Sequence, residues 1–101
     1  MIYHQQGDCL IKPIEKIPDR VEKVLQRNIL IEGEHTGNAH RVTEGEFELF
    51  IEAEKIFLRA ITGCKVTHEE HQEIVIAPGD YEIDRVREVD PFENAIRRVR
   101  D

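Results

Sequence analysis

The sequence predicts a single all-β domain, a small barrel or sandwich of about seven to nine strands, closed by a short C-terminal helix or tail. Three observations carry that expectation. Apolar and polar residues alternate at period two along most of the chain. Turn-forming Gly, Pro, Asn and Asp recur about every eight to twelve residues, the spacing of strands in sandwiches and barrels. The 101 residues contain no linker, repeat or low-complexity stretch, so residues 1–101 form one domain with one modest core.

The elements follow in order. Gly7-Asp8 is a turn, and residues 9–14 form a short strand with Pro13 near its end. Pro18-Asp19 breaks the chain again, and residues 20–25 form a short strand or connector. Residues 27–32, centred on Ile29-Leu30-Ile31, form a strand that residues 33–37 turn back on itself. A strand over 39–43 and a tight turn at Glu44-Gly45 lead to 46–52, where Phe47, Leu49 and Ile51 share a face. After the turn 53–55, residues 56–62 carry apolar groups on both faces, as a central or doubly covered strand does. Gly63 interrupts; strands follow at 64–67 and 73–77, and Pro78-Gly79 is a strong turn pair. The last strand spans 80–89, and residues 92–99 place Phe92, Ile96 and Val99 on one helical stripe.

Charge excludes several function classes. Charged residues make up 35% of the chain and the formal net charge is -7, which opposes binding to nucleic acid phosphates or an anionic membrane surface. The basic cluster Arg97, Arg98 and Arg100 reads as a solvated end balanced by Glu93 and Asp101. The N-terminus lacks a basic start followed by an apolar run, and no apolar stretch approaches the ~20 residues of a membrane span. A soluble cytoplasmic protein is the expectation. There is no glycine-rich phosphate loop, and the absence of serine removes serine nucleophiles. Cys9 and Cys64 stand among strand-like apolar residues and read as buried free thiols. Asp80, Glu82 and Asp84 alternate along one strand face and read as a solvated sheet face rather than a cation site.

The histidines point most directly at chemistry. His35 and His40 lie in one polar, turn-prone stretch, and His68 and His71 in another. Imidazole is a common transition-metal ligand and proton-transfer group near neutral pH. His35 and His40 converge only if the chain bends between them, which Gly37 and Asn38 allow. The spacing of three between His68 and His71 brings their side chains together on a turn, with Thr67 able to cap it. These four histidines are candidate ligands for a divalent transition metal; Glu34, Glu44, Glu69 and Glu70 are candidate carboxylate ligands, proton carriers or supporting partners. The competing interpretation is four histidines on an acidic surface. His4 is left out as part of a frayed terminus.

The stretch Gly33-Glu34-His35-Thr36-Gly37-Asn38-Ala39-His40-Arg41-Val42, with His68-Glu69-Glu70-His71 and Pro78-Gly79-Asp80-Tyr81, resembles a family of short uncharacterised bacterial and phage proteins. That likeness implies no established activity. A second, partial resemblance is to cupins, small β-barrels that hold one metal with a His-x-His pair, a nearby glutamate and a later histidine. It implies metal-ligand roles for His40 and Glu44; Asn38 stands where cupins carry the first histidine.

The leading functional expectation is a metal-binding β domain in which His35, His40, His68 and His71 converge on one ion. A catalytic version would hold a water or a small oxygen-bearing molecule on the metal, with Glu34, Glu44 or Glu69 handling protons. The rival is a metal-free interaction module that forms homodimers through sheet edges or the apolar faces between Phe47 and Phe57.

Overall fold

The computed structural model describes residues 3–32 and 37–86. Within them the chain forms ten strands: β1 (His4–Gln6), β2 (Cys9–Ile14), β3 (Glu22–Val24), β4 (Ile29–Glu32), β5 (Ala39–Glu44), β6 (Phe47–Glu52), β7 (Lys55–Ala60), β8 (Cys64–Thr67), β9 (Ile74–Ile76) and β10 (Gly79–Arg85). No helix occurs among the described residues. A six-stranded sheet runs β1-β2-β10-β7-β6-β3, and a four-stranded sheet runs β4-β5-β8-β9. Every pairing is antiparallel. Neither sheet closes on itself, so the all-β expectation is met in its sandwich-like form rather than as a barrel.

The core lies between the sheets. Ile11, Leu49 and Leu58 from the larger sheet pack with Leu30, Val42, Val66 and Ile76 from the smaller one. Strand β7 runs inside the larger sheet between β10 and β6, and its neighbours Phe57 and Leu58 are both buried on opposite faces. That is why its sequence is apolar on both sides. Strand β10 shows the one-sided alternative. Tyr81 and Ile83 are buried, while the intervening acids meet cations: Lys12 lies 2.8 Å from Glu82 and 2.6 Å from Asp84. Asp80 accepts from the Ile17 amide at 3.1 Å and from Arg59 Nε at 3.0 Å. The acidic ladder is therefore paired with lysine and arginine. Lys12 is held protonated above its usual range by Asp84 and then Glu82.

Several boundaries differ from the sequence expectation. Residues 20–25 yield only the three-residue β3, and Leu25 beside it is 72% exposed. In β6, Leu49 is buried but Ile51, near the end of the strand and opposite Glu22 of the short edge strand β3, is exposed. The last strand is described as Gly79–Arg85; residues 87–89 and the expected helix at 92–99 lie outside the described residues. Strand β1 was not expected at all, and the reading of His4 as part of a frayed end is corrected: His4 pairs with Ile11. His4-Gln5-Gln6 has no apolar alternation to reveal a strand; its pairing with β2 makes it one.

This polar edge strand joins the two sheets. β1 ends the larger sheet and packs beside β9, which ends the smaller one. Gln6 crosses the gap, its side-chain amide donating to Val66 O at 3.0 Å and Gln72 O at 2.9 Å.

Candidate functional site

The histidines meet at this junction. Strand β5 carries His40 as its second residue, only 2% exposed. The register between β5 and β8 sets Arg41 opposite Thr67, which brings the residues just beyond, His40 and His68, side by side. His71 follows on the turn between β8 and β9. Ring centroids are 4.3 Å apart for His40 and His68, 4.6 Å for His68 and His71, and 6.1 Å for His40 and His71. The His40 and His71 rings are nearly parallel, at 12°.

The β1–β2 turn closes the other side. Gly7 has φ +57°, a conformation that favours glycine, and a Cβ there would run into the His71 ring, so the missing side chain lets this backbone press against His71. Asp8 follows, with Oδ1 2.9 Å from His40 Nε2 and Oδ2 3.4 Å from Arg85 Nε. Gln6 Oε1 lies 2.8 Å from His40 Nδ1. Burial pushes the His40 pKa down; Asp8 opposes that shift, while His68 and His71 add to it.

The expected carboxylates are placed differently. Glu69 accepts from the Ala39 amide at 2.7 Å and from Arg41 Nη1 at 2.6 Å. Those two partners, the amide first, hold its carboxyl down at about 2. It is a tie between the 68–73 turn and β5. Glu44 ends β5 four residues beyond His40, about 13 Å along an extended strand, and pairs with Lys65 at 3.1 Å. Glu70 donates its backbone N–H to His68 Nδ1 at 3.0 Å. His35 and Glu34 lie outside the described residues.

Of the four expected ligands, His40, His68 and His71 come together. Two partners of the site were missed, Gln6 and Asp8. Gly7-Asp8 was legible as a turn, but nothing local says that this turn lies against histidines more than thirty positions away. Among the described residues, no group of three or more His, Cys, Asp or Glu side chains has its donor atoms gathered as a bound metal ion would gather them. Both cysteines are buried free thiols; burial pushes Cys9 up to about 12 and also raises Cys64. No helix among the described residues is long and apolar enough to cross a membrane.

No curated protein and no solved structure matches the chain. A family model does match residues 5–86, a span that holds Gln6, Asp8 and all three clustered histidines. The chain therefore belongs to the family described as Domain of unknown function (DUF8820).

Proposed function

We propose that this protein binds one divalent transition-metal ion between the β1–β2 turn, β5 and the 68–73 turn, with Asp8, His40, His68 and His71 as its ligands. The supporting observation is the clustering of three imidazoles at the sheet junction, one of which, His40, faces the Asp8 carboxylate. Metal–nitrogen bonds of about 2.0–2.1 Å on a tetrahedral ion put imidazole ring centres roughly 5 Å apart. The three separations here, 4.3, 4.6 and 6.1 Å, are on that scale. His40 Nε2 and Asp8 Oδ1, at 2.9 Å, are spaced like neighbouring donors on one ion. The rings now lie face to face or tilted, so binding turns His68 and His71 about their side-chain torsions until one nitrogen of each points inward. His68 exchanges its bond from the Glu70 amide if Nδ1 is the donor it uses.

Glu69 and Glu44 do not join this ligand set, the first because Ala39 and Arg41 hold it, the second because of its distance. The set keeps His40 from the cupin likeness and replaces Glu44 by Asp8. A small oxygen-bearing molecule would take any position the four ligands leave open.

Metal analysis of the protein purified without a polyhistidine tag tests this. We expect close to one equivalent of metal, and zinc at a hundredfold over its Kd should add about 2.7 kcal/mol of stability. His40→Ala should abolish both. Metal-free protein whose melting is unmoved by zinc, cobalt, nickel or copper would overturn the reading. The homodimer alternative has one observation in its favour, Val75, 66% exposed on edge strand β9. It predicts instead a melting temperature that rises with protein concentration.

A further inference from the structure

We infer that Gln6 is the positioning residue of the histidine cluster: it confines His40 to the tautomer protonated on Nδ1 and thereby turns the Nε2 lone pair toward Asp8. The orientation of the Gln6 amide follows from its partners. Its nitrogen faces two backbone carbonyls, Val66 O at 3.0 Å and Gln72 O at 2.9 Å. Carbonyls only accept, so the nitrogen end must point at them; the reversed amide would set three oxygens against one another. Its oxygen then faces His40 Nδ1 at 2.8 Å and can only accept. Nδ1 must therefore carry a hydrogen.

A neutral imidazole has one N–H. With that proton on Nδ1, Nε2 presents a lone pair to Asp8 Oδ1 at 2.9 Å. Two acceptors at that distance repel; the Asp8 carboxylate is half-exposed, but His40 is only 2% exposed, so its Nε2 gains little from water. A positive centre between Nε2 and Oδ1, a proton or a metal ion, removes the repulsion. An imidazole that donates from one nitrogen to a neutral oxygen and offers the other outward is the arrangement that supports metal ligation. The same Gln6 amide also holds Val66 and Gln72, which flank His68 and His71, so one side chain sets the tautomer and seats the turn. The effect on metal affinity rests on the metal-binding reading above; the tautomer does not.

The test has two arms. Long-range 15N–1H NMR of the metal-free wild-type protein, at about pH 8.5 (two units above the ordinary imidazole value), reads the His40 tautomer directly. The expected result is the proton on Nδ1. Gln6→Met, which removes the acceptor at that place, should move it to Nε2, facing Asp8. In the second arm, zinc competition against a chromophoric chelator should show Gln6→Met weakened about 10- to 100-fold. A wild-type His40 protonated on Nε2 with Nδ1 bare overturns the inference whatever zinc does. So does a folded Gln6→Met protein that keeps the wild-type tautomer. If wild-type protein takes no zinc, the metal reading falls and the tautomers of the wild-type and Gln6→Met proteins decide for or against Gln6.

Discussion

Glu69 lies between two clustered histidines in sequence, yet both of its oxygens are engaged by β5, one by the Ala39 amide and one by Arg41. A carboxylate so held is a structural acid, and its pH dependence has a definite sign. Its carboxyl is at about 2 in the fold against an ordinary 4.5, so between those values the unfolded chain binds more protons than the folded one. The stabilisation is complete above the ordinary value and is lost as pH falls toward about 2. Urea midpoints measured from pH 5 down to pH 2, spanning the window between those two values, should fall, and Glu69→Gln should flatten part of that fall. Because the carboxylate is solvent-accessible, the effect should shrink in high salt. Asp8 makes the opposite point. It was read only as a turn former, and its contact with His40 exists because β1 and β2 carry that turn to the sheet junction.

At the scale of elements, the turns that carry Asp8 and His71 are held by different devices. The 68–73 turn is tied to β5 by Glu69 and to β1 by Gln6. The β1–β2 turn depends on Gly7, whose φ is +57° and whose missing Cβ makes room for His71. Gly7→Ala should cost about 1–2 kcal/mol for the left-handed backbone alone, and more if His71 cannot move. Chemical denaturation measures the cost. Displacement of the ring should also appear as a shift of the His71 imidazole resonances, which a purely local backbone strain would leave in place. β1 itself was illegible, since His4-Gln5-Gln6 carries no apolar period and pairs by backbone bonds to β2. By contrast β6, β7 and β10 were legible, because burial of one or both faces imprints period two or an apolar run on the sequence.

For the molecule as a whole, stability resides in the apolar layer between the sheets. Leu58 is fully buried, paired with Tyr81 on one side and Leu49 on the other. Leu58→Ala should cost about 2–5 kcal/mol, read as a lower denaturant midpoint with an unchanged m-value. The same substitution should leave zinc affinity of the folded fraction unaltered, because β7, which carries Leu58, bears none of the proposed ligands and pairs with β10 and β6.

Alone, the sequence determined the fold class, the burial of both cysteines, the alternation of acids along β10 (though not their pairing with Lys12 and Arg59) and the turn that carries His68 and His71. These are local properties: strand periodicity, turn chemistry and charge are written over a few neighbouring residues. Only tertiary structure decided that three of those histidines share one place, that β1 exists, and that Gln6 and Asp8 are their partners while Glu44 and Glu69 serve other contacts. Each of these depends on which strand edges meet, and edge pairing is set by long-range register and packing that no short stretch of the chain contains.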